Sequence, residues 1–260
     1  MLKVFFINDQ EGWAVGRDGM LHTTDRGKKW ARLDIGTGIK RPISSIFFIN
    51  PKTGWLLAGG EVYRTKDGGG SWDRSTLPRS DYPRFGAPGT GYIPDMAGDR
   101  GDIFFTDDRN GWAGVGCGLI FYTNNGGKTW KNQLHTGSMS YGLSRLSFID
   151  SKRGCAGGSS LLCTEDGGKT WTEKLGVPPG SGKRINHFLV QLQGISFLSH
   201  SVGWAVGNEG QIWKTEDGGR TWKLAARRDE CGGATFFLDK KTGWFHGTGS
   251  LSTTYICRTD

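Results

Sequence analysis

Short apolar runs recur along the chain, each followed at a near-constant distance by a Gly-aromatic pair and then by a polar, glycine-rich turn. Six runs open the pattern: Val4-Phe5-Phe6-Ile7, Ile46-Phe47-Phe48-Ile49, Ile103-Phe104-Phe105-Thr106, Leu146-Ser147-Phe148-Ile149, Ile195-Ser196-Phe197-Leu198 and Thr235-Phe236-Phe237-Leu238. Apolar runs this short, bounded by turn residues, read as strands buried on both faces. A polar turn such as Asn50-Pro51-Lys52-Thr53 leads to a second strand. That strand opens at Gly12-Trp13, Gly54-Trp55, Gly111-Trp112, Gly154-Cys155, Gly203-Trp204 and Gly243-Trp244. A hairpin turn (Asn208-Glu209-Gly210 in the fifth unit) precedes a third strand, Gln211-Ile212-Trp213-Lys214-Thr215. An Asp-Gly-Gly turn and a fourth strand from Trp222 onward complete the unit.

The turn before the fourth strand is itself a repeat. Its five copies run Thr23 to Trp30, Thr65 to Trp72, Thr123 to Trp130, Thr164 to Trp171 and Thr215 to Trp222. The Gly-aromatic pairs return about every 46 residues, within the span of propeller blades. Four antiparallel strands repeated in this way predict an all-β fold, a six-bladed β-propeller. One domain covers 1–260, with blades near 1–36, 37–80, 98–136, 141–178, 190–228 and 232–260. The last blade ends in its third strand, Tyr255 to Asp260, and lacks an outer strand.

The spacing Thr-x-Asp-x-Gly-x-Thr-Trp resembles the Asp-box, or BNR, repeat of sialidase-like propellers. The fuller pattern, Gly203-Trp204-Ala205-Val206-Gly207 through Thr215 to Trp222, is similar to the photosystem II stability/assembly factor family. That resemblance implies a non-catalytic chaperone of a membrane photosynthetic complex. The chain departs from the family's usual seven blades and shows no export or transit segment in its first residues. A sialidase-like activity would imply three arginines on a carboxylate, a Tyr–Glu nucleophile pair and an acid–base Asp. The early Arg-Ile-Pro signature is missing, since Arg41-Pro42-Ile43 has another order.

In each box an aspartate can accept N–H groups of its own turn while glycine takes positive φ without strain. Asp25, Asp67, Asp166 and Asp217 therefore read as structural staples. Asn125 keeps the acceptor oxygen and the same role. Trp30, Trp72, Trp130, Trp171 and Trp222 read as covers over those turns, on the rim opposite the expected ligand face.

Ligand contacts are expected where connections lengthen, at residues 75–101 and 176–193. The first insert offers Arg79, Tyr82, Arg84, Phe85 and Tyr92, and the second Lys183, Arg184 and His187. Arginine and aromatic side chains are typical recognition anchors. Arg17 and Arg41 join them from shorter connections. Lys3, Asp102 and Arg145 lie at first-strand starts, either facing a ligand or pairing with one another in a wet channel.

The chain carries 33 Lys and Arg against 25 Asp and Glu, a formal charge of +8, which favours acidic partners. The basic residues form no packed stripe, so nucleic acid is disfavoured. No eighteen-residue apolar run predicts a membrane span. Met1 to Asp9 turns polar too soon for a secretory signal, making the cytoplasm the default location. Five cysteines without a Cys-x-x-Cys pair argue against zinc. Cys155 and Cys163 should face each other across a hairpin as buried free thiols, because disulfides between adjacent strands are awkward. Neither cofactor nor metal is expected, and the five histidines are scattered singly.

The resulting expectation is a non-catalytic binding or assembly propeller recognising an acidic protein or peptide through its loop face. A glycan remains an alternative ligand, and a sialidase-like or other glycan-processing hydrolase the alternative function. Either a monomer or a dimer through the open edge of the last blade fits the pattern.

Overall fold

The computed structural model describes residues 3–16, 19–35, 39, 41–78, 101–116, 118–136, 142–175, 191–207 and 209–227. It also describes the backbone of 235–237, 243–248 and 254–258. All their regular structure is strand. The first sheet comprises β1 (Lys3–Phe6), β2 (Gly12–Gly16), β3 (Gly19–Thr23) and β4 (Ala31–Leu33). The second comprises β5 (Ile43–Phe48), β6 (Gly54–Ala58), β7 (Glu61–Thr65) and β8 (Asp73–Thr76). In the third are β9 (Gly101–Phe105), β10 (Gly111–Val115), β11 (Leu119–Thr123) and β12 (Lys131–His135). The fourth is β13 (Leu143–Phe148), β14 (Gly154–Gly158), β15 (Leu161–Thr164) and β16 (Thr172–Leu175). The fifth holds β17 (Leu192–Phe197), β18 (Gly203–Gly207), β19 (Gln211–Thr215) and β20 (Lys223–Arg227). Three strands, β21 (Thr235–Phe237), β22 (Gly243–Thr248) and β23 (Thr254–Arg258), make the sixth. Each sheet is an antiparallel meander in chain order. These are the predicted four-stranded blades of an all-β propeller.

Burial follows position within the sheet, with one departure from expectation. Continuous burial belongs to the second strands: every residue of β6, β10 and β14 is buried. The first strands alternate instead, β1 as half-buried and exposed by turns. Their Phe5, Phe47 and Phe104 rings form a row, with centroids 5.2 and 4.7 Å apart. The row stays half-buried, with Phe5 and Phe47 also packed against buried core residues. Fourth strands are polar and largely exposed, which suits an outer edge.

One contact recurs in the first five sheets. The last Phe of the first strand lies over the glycine that opens the second strand. A Cβ on Gly12, Gly54, Gly111, Gly154 or Gly203 would come within 2.6, 2.5, 2.4, 2.2 and 2.5 Å of that ring, respectively. In the unit spanning Met1–His135, the same ring also stacks on the preceding sheet's tryptophan. Trp13 and Phe48 lie 3.7 Å apart at 3°, and Trp55 and Phe105 3.6 Å apart at 7°. Two cores form there, one around Trp13, Met20, Ile46 and Leu56, the other around Trp55, Ile103, Phe105 and Trp130.

The unit spanning Thr136–Asp260 repeats the frame with one replacement. Cys155 stands where the other sheets have tryptophan, and its core joins Leu161, Leu192, Ala205 and Trp213. Cys155 and Cys163 were expected as free thiols, and they are bonded. The register sets them directly opposite, with Cα atoms 4.1 Å apart, so the bond needs no backbone rearrangement.

Two substitutions test this frame in opposite directions. Gly54→Ala must displace Phe48 from the Trp13 plate and should cost about 1–3 kcal/mol. Arg26 alone among described non-glycine residues has positive φ, 68°, where the other boxes have glycine. Arg26→Gly relieves that strain and should add about 0.5–1 kcal/mol. Urea unfolding followed by tryptophan fluorescence reads both; equal effects of one sign would contradict the geometry.

Candidate functional site

Each Asp box closes on itself. In the fourth sheet the Thr164 hydroxyl donates to Asp166 Oδ1 at 2.9 Å and accepts the Gly168 N–H at 2.8 Å. Asp166 also takes the Thr170 N–H at 2.9 Å and the Thr170 hydroxyl at 2.7 Å. Asp25, Asp67 and Asp217 accept from the equivalent N–H groups of Lys29, Ser71 and Thr221. Asn125 accepts the Thr129 N–H at 3.0 Å and gives its own amide to the Thr129 hydroxyl. The indoles of Trp30, Trp72, Trp130 and Trp222 donate back to Gly27, Gly69, Gly127 and Gly219 carbonyls. Box tryptophans also meet the strand Phe edge-on, as in Phe148–Trp171 at 6.2 Å and 88°. The staple role expected of these residues accounts for every one of these bonds.

Their electrostatics follow. The Thr170 amide and hydroxyl hold Asp166 down to about 2. At Asp217 burial opposes ionisation, yet the Thr221 hydroxyl and amide outweigh it and lower it to about 2. Asp67 is held lower still by the Ser71 hydroxyl and amide. The Lys29 amide lowers Asp25. A carboxylate so firmly ionised and so fully engaged is poorly suited to proton transfer.

A second staple was not anticipated from sequence. Asn8, Asn50, Asp107, Asp150 and Ser199 each stand four positions before the glycine of a Gly-aromatic pair. Each side chain caps two amides of the turn between first and second strands, as Asn50 does for Lys52 and Thr53 at 2.9 and 2.8 Å. The backbone joins the two turns: Gly167 N–H donates to Lys152 O at 2.7 Å, and Gly68 N–H to Lys52 O at 2.9 Å. The constant spacing was a usable signal, masked by the mixture of Asn, Asp and Ser.

The expected ligand residues fall into three groups. Arg17, Arg79, Tyr82, Arg84, Phe85, Tyr92, Lys183, Arg184 and His187 lie outside the described residues. Arg41 is exposed, and its stem crosses the turn between β6 and β7: a Cβ on Gly59 would lie 2.7 Å from Arg41 Cγ. Leu77 N–H donates to Gly60 O at 3.0 Å, at the same turn. Asp102 and Arg145 occupy first-strand starts. Asp102 is 7% exposed; it pairs with Lys3 and accepts the Ser45 hydroxyl at 2.7 Å. One polar link thereby ties β1, β5 and β9. Arg145 donates to Gln193 O and Ser144 O, both at 2.7 Å, tying β13 to β17. No group of three or more metal-ligating side chains occurs among the described residues.

Meander sheets closed by Asp boxes define the class: this is a β-propeller of the Asp-box, BNR-repeat kind. Within it, part of the chain is similar to photosystem II assembly factors. The family described as photosynthesis system II assembly factor YCF48 matches residues 1–77. The chloroplastic photosystem II stability/assembly factor HCF136 of Cyanidioschyzon merolae is 38% identical over 53 residues. That match spans 20% of this chain and 12% of the relative's length. Among solved structures, one described as YCF48 bound to D1 peptide aligns with a TM-score of 0.51 at 18% identity. It covers 99% of this chain and 96% of that one. U3-55K reaches a TM-score of 0.67 at 11% identity, covering 96% and 77%. An ancestral GH74 enzyme reaches 0.61 at 11%, covering 99% of this chain and 38% of that one. At such identities the structures establish the fold.

The box aspartates make the fold acid-sensitive in a defined window. Their folded pKa lies below the ordinary carboxylate value, so their stabilisation is complete above about pH 4 and is lost as pH falls toward about 2. The Asp166→Asn/Asp217→Asn chain should be less stable than wild type at pH 7, with the gap closing by about pH 2. Urea midpoints at pH 7, 4, 3 and 2 measure it. A gap constant across that range would rule out the charge as the staple's source of strength.

Proposed function

We propose that the chain is a non-catalytic, peptide-binding assembly propeller that holds an acidic protein segment through its loop-end residues. The observation that carries this reading is the assembly-factor match over residues 1–77. It falls on a frame whose box carboxylates are already taken up by their own turns. YCF48, a propeller described as bound to D1 peptide, supports a peptide as the kind of partner.

Charge and residue type refine the partner. A net +8 attracts acidic segments over distance and raises encounter rates at low salt. Arg79, Arg84, Arg184 and Arg145 would steer and pair, while Tyr82, Phe85 and Tyr92 would anchor. Rigid sheets keep the frame unchanged while the connections select the ligand. No helix among the described residues is long and apolar enough to cross a membrane.

The test uses fluorescein-labelled peptides rich in Asp and Glu, alongside counterparts carrying Asn and Gln. The acidic set should bind, more weakly as salt rises. The Arg79→Glu/Arg84→Glu/Arg184→Glu chain should lose about tenfold or more in affinity at unchanged thermal midpoint. Unaltered binding would remove these residues from the site, and equal binding of neutral counterparts would remove the acidic partner. Turnover of a fluorogenic sialoside, abolished with loop-end acids, would overturn the non-catalytic reading.

A further inference from the structure

Directly opposed on the second and third strands of each of the first five sheets is one pair of side chains. It is Trp13 with His22, stacked at 4.9 Å; Trp55 with Arg64, 5.4 Å from the ring centre; and Trp112 with Tyr122 at 5.3 Å. In the fifth sheet it is Trp204 with Lys214 at 5.4 Å. In the fourth sheet the same register position holds the Cys155–Cys163 disulfide. Both cysteines are buried, at 1% and 6% exposure.

In two of the sheets an Asp box rests on this pair. In the second sheet, Trp55 donates its indole N–H to Gly126 O at 2.9 Å, and a Cβ on Gly127 would lie 3.4 Å from Trp55 Nε1. In the fourth sheet, a Cβ on the corresponding Gly219 would lie 3.1 Å from Cys155 Sγ and 3.7 Å from Cys163 Sγ. The disulfide is therefore the seat of the fifth sheet's box. It replaces a large ring plate with a small covalent one.

The fourth sheet also has the most to hold. Trp171 is the one box tryptophan whose indole N–H is buried without a hydrogen-bond partner among the described residues. Glu173, on β16, has both carboxylate oxygens buried and unpartnered, and Ser160 Oγ beside it is likewise unpartnered. In the second sheet the equivalent positions form the Arg74–Glu61 ion pair at 2.9 Å. Burial pushes the Glu173 carboxyl up to about 7; the Ser160 hydroxyl pulls the other way but is not in hydrogen-bonding geometry. Buried polar groups without partners weaken a sheet. This sheet thus combines the smallest seat with the largest polar burden.

We propose that Cys155–Cys163 is a redox latch on the second unit. Closed, it holds the β14–β15 hairpin together beneath the Gly218-Gly219 turn; opened, it releases β14 to β16 and the box that rests on them. A dithiol reductant supplies the step: two electrons and two protons pass to the S–S bond, two thiols form, and the reductant becomes a disulfide. Because the sulfurs are buried, exchange requires the sheet to open first. The latch stays closed in compartments that preserve disulfides.

Hydrogen exchange and thiol alkylation of the full chain, with and without dithiothreitol, decide it. Oxidised, neither Cys155 nor Cys163 should alkylate. Reduced, both should label, and amides of 154–175 and 215–222 should exchange at least about tenfold faster, with 54–72 unchanged. Cys155→Trp/Cys163→Lys restores the pair used in the fifth sheet and should make exchange indifferent to reductant. Cys155→Ala/Cys163→Ala should match the reduced wild type. Native alkylation of both cysteines without reductant, or exchange unchanged by reduction, would overturn the latch.

Discussion

The frame depends on a missing methyl group. A glycine at the start of each second strand leaves a floor on which a phenylalanine ring from the first strand lies flat. With any Cβ there, the ring would be displaced by an ångström or so, since ring carbons already stand 2.2–2.6 Å from where that Cβ would sit. In the first unit the seated Phe48 and Phe105 rings each offer one face to the tryptophan of the preceding sheet, and Phe105 meets the tryptophan of its own Asp box edge-on. Stacked and edge-on aromatic contacts each add about 0.5–1.5 kcal/mol beyond the area they bury. The Gly-Trp pair and the Phe run are therefore two ends of a single packing unit, which explains why they travel together along the chain.

Polar chemistry completes what this packing begins. Each second strand is entered from an Asx-type or Ser turn and flanked by an Asp box, and a backbone bond ties the two turns together. These turns engage Asp25, Asp67, Asp107, Asp150, Asp166 and Asp217. Lys3, Ser45 and Asp102 link three successive first strands at the opposite end.

Legibility in the sequence followed the same division. Strand order, the box staples and the opposition of Cys155 to Cys163 could all be read, because they repeat or depend on local spacing. The state of the cysteine pair could not, since it turns on a separation of 4.1 Å that only the register defines. Burial of the first strands was overestimated: an apolar run records that a surface is greasy, and Phe5, Phe47 and Phe104 are only half-buried. Asp102 shows a further limit. Its partners Ser45 and Lys3 lie 57 and 99 positions away, beyond any pattern of spacing. The long connections carry no period at all, so composition was the sole guide to Arg79, Tyr82 or Arg184.

Variation at one position shows what the repeat demands. Opposite the second-strand tryptophan stand His22, Arg64, Tyr122 and Lys214, which share neither charge nor shape. His22 stacks on its ring, Tyr122 meets its ring at a tilt, and Arg64 and Lys214 set a cation over theirs, an interaction worth about 0.5–2 kcal/mol. The requirement is thus a supported plate beneath the next turn, and any side chain that supports it will serve. A disulfide meets that requirement differently, by binding the two strands instead of covering a ring. It gives up apolar area and the indole N–H that in the second sheet reaches a box carbonyl, from Trp55 to Gly126 O. That exchange makes sense only where the strands themselves need holding. The fourth sheet, with Glu173 and Ser160 in place of an ion pair, is where they do.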